Sequence, residues 1–190
     1  PPHPPPAPPP PPAPHPRPLP CRTDHSPITH HAQIARMKAL GLLQTLPTNH
    51  LHYRGHDMRD QVCRPEKVQL LDRCRAVEDA GLDWVMHTDA PVSPLGSLHK
   101  IRVAVARDLW KEPDTILAPD ERVSVETAIQ AVTRNAARAC HSEDEIGSLE
   151  PGKLADLVIL EDDPRAVAPT AISDIRVSET WMDGQRVFES

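Results

Sequence analysis

Three short stretches bring carboxylate and imidazole groups to the ends of apolar segments: Asp24-His25, Thr48-Asn-His50 and His87-Thr-Asp89. A neutral imidazole offers a nitrogen lone pair and titrates near neutrality, and a carboxylate accepts a proton or holds a cation. The chemistry open to such groups is proton transfer and metal ligation. Taken singly, each stretch is also an ordinary polar loop start. Three of them in the same phase relative to the apolar segments point to a site. His52 stands two residues after His50, and His56 follows. These histidines either line a substrate pocket, bind metal adventitiously, or belong to a solvated His-rich loop. His30-His31 opens a helical pattern and reads as surface. His87 is expected to pack in the core, on the strand face away from Asp89.

The elements that must position these groups alternate in type. Cys21 to His25 is a short polar-ended segment. Ile34, Met37 and Leu40 recur at helical spacing, with Gly41 where a C-terminal cap belongs. Leu42-Leu-Gln-Thr-Leu46 reads as a strand stopped by Pro47, and 48–64 as a polar loop. Pro65 opens a second helix at a position where its missing N–H does no harm. Val68, Leu71, Cys74 and Val77 line one face of that helix, and Gly81 ends it. Leu82-Asp-Trp-Val-Met-His87 is the next strand, and Leu98, Ile101, Val105 and Leu109 mark a third helix. Three strand–helix units in a row indicate a parallel sheet with helical crossovers, the α/β class. In such sheets, and in closed (β/α)8 barrels, chemistry collects where strands end.

From Pro119 the pattern changes. Ser124 caps a helix that carries Val125, Ala128, Ile129, Val132 and Ala136 on one face. Pro151-Gly152 is a turn, and 155–160 is a strand. Residues 175–182 and 185–188 form a hairpin around Asp183-Gly184, a pair that favours the turn matching strand twist. Alternation of Val177, Glu179 and Trp181 gives the hairpin one buried face. Short strands of this kind suggest a small separate β-domain.

Composition narrows the function classes. The chain carries a net charge of −6 with no run of Lys or Arg, so nothing suggests nucleic acid or anionic lipid. No stretch reaches the ~18 apolar residues of a membrane span, and no signal-peptide pattern is visible, so the default location is cytoplasmic. The four cysteines show no CxxC spacing and read as reduced. Fourteen of the 24 prolines lie in residues 1–20, a stretch that cannot bury enough surface to fold. It reads as a disordered tail. Arg17-Pro-Leu-Pro20 begins like a ligand for an SH3- or WW-type groove, although Thr23 stands where the next proline is needed.

At this point the residues resemble a known family. Gly147-Ser-Leu-Glu-Pro-Gly-Lys-Leu-Ala-Asp-Leu-Val-Ile-Leu160 is similar to the C-terminal stretch with which the amidohydrolase superfamily passes from its barrel into a small β-sandwich. Ala131-Val-Thr-Arg-Asn-Ala-Ala-Arg138 resembles the helix before that stretch. His87-Thr-Asp-Ala-Pro-Val92 resembles the end of the eighth barrel strand, and Arg22-Thr-Asp-His25 the end of the sixth. The nearest branch is the amidohydrolase 3 group, which includes N-substituted formamide deformylase-like enzymes.

The resemblance implies the C-terminal three units of a (β/α)8 TIM barrel over 21–140, followed by β-sandwich strands over 141–190. It implies a metal-dependent hydrolase of a carbon–nitrogen (non-peptide) bond in a small-molecule amide or formamide. One or two divalent ions, zinc by preference, would be used. His25 takes the position of a metal ligand. Asp89 takes that of a metal ligand and proton shuttle between the attacking water and the leaving amine. His50 and His52 are candidate substrate-binding residues.

This chain also departs from the family pattern. The family's His-x-His pair on strand one, its bridging lysine or acid near strand four and its strand-five histidine have no counterpart here. His50-Leu-His52 has the spelling of that pair, but follows the strand that maps to position seven. The isolated chain is therefore expected to be marginally stable or aggregating, and inactive. Two alternatives accompany the hydrolase reading: a truncated product or subunit completed by a partner chain, and an interaction protein working through its proline-rich tail.

Overall fold

The computed structural model describes residues 21–190. The proline-rich segment and its expected groove-binding role lie outside the described residues. A parallel sheet is built from β1 (Arg22–Thr23), β2 (Leu43–Leu46) and β3 (Trp84–Met86), in that order. Arg22 stands opposite Leu43, and Gln44 opposite Trp84. All three strands therefore end at one edge. Helix α1 (His31–Ala39) connects the first two strands, and Gly41 follows it at a positive φ of 64°. Leu46, Trp84 and Met86 pack with Ile34, Met37, Cys74, Val77, Ile101 and Ala104 in the main core.

The segment expected as a polar loop over 48–64 is instead helix α2 (Thr48–Asp57), continued by a π-helical turn, Met58–Val62. Its polar composition hides the contacts that fix it. Leu51 is buried with Val68, Leu71, Val103, Leu109 and Leu117 in a second core. Gly55 lets the helix approach closely, since a Cβ there would lie 2.5 Å from Leu109 Cδ2.

The second expected helix is broken. Helix α3 (Pro65–Val68) and α4 (Cys74–Asp79) are separated by a turn in which Asp72 has φ 41°. The carbonyls of Leu71 and Asp72, freed by the break, accept from the buried Arg107 guanidinium at 2.8 and 2.9 Å. Helix α5 (Ser97–Ala106) stops one turn earlier than its apolar spacing indicated, because Arg107 adopts a left-handed conformation. Leu109 then belongs to β4 (Asp108–Leu109), which pairs with β5 (Glu112–Ile116) in a hairpin.

Ser124 caps helix α6 (Val125–Val132) as expected, accepting the Thr127 N–H at 3.1 Å. The helix breaks at Thr133 and resumes as α7 (Arg134–Ala139). Gly147 packs against α7 at φ 90°, where a Cβ would meet that of Ala137 at 2.6 Å. Strands β6 (Leu157–Leu160), β7 (Val177–Met182) and β8 (Gln185–Glu189) form an antiparallel sheet, joined across Asp183 and Gly184, both at positive φ. The hairpin's expected buried face is only half-covered: Val177, Glu179 and Trp181 are all intermediate in exposure. Cys21, Cys63, Cys74 and Cys140 are free thiols. No helix of the described residues is long and apolar enough to cross a membrane.

Candidate metal centre

The three polar strand ends converge. After β1 the chain runs through Asp24, whose carboxylate accepts the Thr45 hydroxyl of β2 at 2.7 Å. That bond, above the nearby Arg22 charge, holds the Asp24 carboxyl below its ordinary range. With Asp24 tied back to the sheet, the chain turns at His25 through a left-handed φ of 57°. The His25 ring then reaches Asp89 beyond β3, donating from Nε2 to Oδ2 at 3.1 Å. Asp89 itself sits at φ 54°. This hydrogen bond is the main reason that its carboxyl titrates below the usual carboxylate range.

His50, in the first turn of α2, completes the group. Its Nε2 lies 3.8 Å from Asp89 Oδ2, and its ring centroid lies 5.0 Å from that of His25. Burial, and next the neighbouring His25, push its pKa below the ordinary histidine value. A ligand-type atom from each of His25, His50 and Asp89 lies within 4.8 Å of the other two. Two imidazoles and a carboxylate at this spacing form a donor set that suits a divalent transition metal. Among the described residues this is the one such group.

His87 is not turned into the core. Its ring stands 5.2 Å from that of His25, and burial lowers its pKa. β3 ends at Met86 and Asp89 has a left-handed φ, so strand alternation no longer governs this stretch and the His87 ring turns toward His25.

His52 does not join the group. Two residues along a helix point in nearly opposite directions, so His50 faces Asp89 while His52 faces inward. Its Nδ1 donates to the Asp108 carbonyl at 2.9 Å, and its ring packs on Tyr53 and His99. Arg102 pairs with the Asp108 carboxylate in the same buried cluster, and burial brings His99 down to about 4. His56 pairs with Asp57 at 3.2 Å, and His30 and His31 are exposed.

A buried support for the Asp89 loop has no sequence signature. Asn49, fully buried beside His50, donates from Nδ2 to Ser93 Oγ at 3.1 Å, and Ser93 in turn donates to the Thr88 carbonyl. The start of α2 is thereby hydrogen-bonded to the residue preceding Asp89. The one available hint, Ser93 between Val92 and Pro94, is common in loops.

Comparison with known proteins follows the same lines. A family model described as the amidohydrolase family matches residues 11–188. An N-substituted formamide deformylase from Arthrobacter pascens is 32% identical over 115 residues, which are 60% of this chain and 21% of the relative. The chain thus spans about a fifth of that relative's length. Among solved structures, an uncharacterized metal-dependent hydrolase from Pyrococcus horikoshii OT3 superposes with a TM-score of 0.64 at 23% identity. That match covers 78% of this chain and 30% of the other. An adenosine deaminase from Xanthomonas campestris with bound zinc gives 0.60 at 22% identity, over 87% and 36% of the two chains. At these identities the structural likeness shows the fold alone.

Proposed function

The chain belongs to the amidohydrolase family, and on that premise we propose that it carries part of a metal-dependent site for hydrolysis of a non-peptide C–N bond in a small amide or formamide. Residues 21–140 are read as the last three units of a (β/α)8 barrel and 141–190 as strands of its β-sandwich. The single observation that carries the proposal is the meeting of His25 and Asp89, from the ends of the first and third strands, at 3.1 Å.

His25 and Asp89 are the residues that would hold the ion. A divalent metal bound there, zinc in this reading, supplies Lewis acidity and lowers the pKa of a water toward neutrality. The other steps fall to the chain's own groups. Asp89 orients the attacking water and takes its proton on a carboxylate oxygen, then delivers that proton to the leaving nitrogen. Without the ion, His25, anchored by the Asp24–Thr45 bond, holds the carboxylate's direction through Nε2, the nitrogen that would turn to the ion once it is bound. His87 and His50 wall the space around Asp89, and partial burial keeps both imidazoles below the ordinary histidine pKa.

Turnover needs further ligands of the kind the family places on its earlier strands, and the 190-residue chain alone is expected to be inactive. The test supplies those strands. Residues 21–190 are grafted in place of the matching part of the Arthrobacter pascens deformylase, and hydrolysis of an N-substituted formamide is measured with and without added zinc. Metal-dependent hydrolysis that falls by ~10³-fold or more in Asp89→Asn is expected. A folded, metal-loaded chimera whose rate is indifferent to Asp89→Asn would refute the role. Hydrolysis by the isolated chain, abolished by Asp89→Ala, would refute the reading of a partial site.

A further inference from the structure

We propose that His50 is itself a metal ligand of this chain, so that three successive strand ends supply a three-donor set of His25, His50 and Asp89. The inference rests on the metal-site reading above and changes the part His50 plays in it. The family resemblance assigns ligands at the positions of His25 and Asp89 and none at that of His50, which reads from sequence as pocket lining.

Distances carry the assignment. Donors bound to one tetrahedral ion at ~2.0–2.2 Å stand about 3.3–3.6 Å from each other. Nε2 of His25 and Nε2 of His50 lie 3.1 and 3.8 Å from the same Asp89 oxygen, one on each side of that interval. His25, His50 and Asp89 each offer a ligand-type atom within 4.8 Å of the other two. Rotamer adjustment of the exposed side chains of His25 and Asp89 would draw the three donors onto one ion.

The state of the His50 nitrogen points the same way. Nε2 of His50 is buried and has no hydrogen-bond partner among the described residues, although its side chain is 23% exposed overall. Buried polar atoms are rarely left unpaired, and exceptions tend to mark a functional atom or an ion. The nitrogen lies 3.8 Å from the carboxylate oxygen, beyond hydrogen-bonding distance, as a ligand would across an ion. Its backbone is fixed: His50 lies in the first turn of α2, and neighbouring Asn49 is pinned to Ser93. Two imidazoles and one carboxylate leave one position of a tetrahedral ion open to water or to a further ligand.

Cobalt(II) is the probe, added to the full 190-residue chain as wild type, His25→Gln, His50→Gln, His50→Cys and His52→Gln, with folding of each checked by circular dichroism. Wild type and His52→Gln should bind one ion per chain and show the intense visible bands of low coordination. His50→Gln should bind about 1,000-fold more weakly, beyond the 10–100-fold effect of residues that only support a ligand. In His50→Cys a new sulfur-to-cobalt charge-transfer band should appear, because only a thiolate bonded to the ion produces one. This variant remains decisive if His50→Gln folds poorly. If His50→Cys gives no new band and His50→Gln binds like wild type while His25→Gln does not, His50 is not a ligand and the metal-site reading stands without it. Failure of the folded wild type to bind cobalt would overturn both.

Discussion

Replacing Asn49 with alanine should weaken metal binding at a site the residue does not touch. Its Nδ2 makes one well-formed hydrogen bond, at 3.1 Å to Ser93 Oγ, and a marginal one at 3.5 Å to the Pro94 carbonyl. A net hydrogen bond is worth about 1 kcal/mol, and a buried partner left unpaired adds roughly another 1 kcal/mol. Asn49 is fully buried, so water cannot replace the lost donor without the loop opening. The sum of about 2 kcal/mol corresponds to a drop in Tm of roughly 4–8 °C for a domain of this size.

The second effect travels along Ser93 to the Thr88 carbonyl and so to Asp89, whose left-handed backbone needs that support. Groups that orient ligands in this way typically contribute 10–100-fold to affinity, and a loss of about 10-fold is expected here. Thermal unfolding and competitive zinc titration of the same sample separate the two effects. Unchanged zinc affinity in a variant that loses the expected stability would refute the coupling. Unchanged stability would refute the hydrogen bond itself.

Other perturbations test the packing that holds the strand ends together. Gly55→Ala would stabilise an exposed helix by ~1 kcal/mol, but here its Cβ meets Leu109, so a loss of about 1–3 kcal/mol is expected in urea denaturation; a gain would contradict the close approach of α2 to β4. Arg107→Met leaves buried carbonyls of Leu71, Asp72 and Leu117 without their donor and should cost about 3–5 kcal/mol. A shift in the urea midpoint equivalent to less than ~1 kcal/mol would show that those bonds are dispensable. For His99, lowered to about 4 by burial, the unfolded state takes up the proton first as pH falls. Its contribution is present above the ordinary histidine value of ~6.5 and is lost as pH falls toward 4, by at most about 3 kcal/mol. Equal pH slopes in wild type and His99→Gln would rule this out.

The sequence carried the strand ends well and the helices between them poorly. Leu42 to Leu46 and Leu82 to His87 are apolar runs with polar termini, and the structure brings those termini to one edge. Ser124 and Asp183-Gly184 were legible because capping and tight turns are local chemistry, decided by residues within four positions. Helix α2 was hidden because its polar, histidine-rich face dominates the composition, while its packing depends on Leu51 and on the missing side chain of Gly55. The break between α3 and α4 answers to Arg107, more than thirty residues away, and no local pattern announces it.

The same division applies within the site. His25 and Asp89 were singled out by motif and resemblance, and the structure brings them to 3.1 Å of each other. His50 and His52, two residues apart, could be separated only once α2 turned them to opposite sides. His87, expected in the core, stands beside His25 because β3 ends at Met86 and the chain turns at Asp89. Asn49 and Ser93 act through hydrogen bonds between distant loops, and nothing in their spacing marks them.

Zinc titration of the full chain by calorimetry, wild type beside Asp89→Ala, bears most directly on the claim that three strand ends form one metal-holding group. One ion per wild-type chain is expected, with an affinity at least about 100-fold lower in Asp89→Ala and the fold retained because Asp89 is exposed. Equal zinc affinity of the two folded proteins would contradict it.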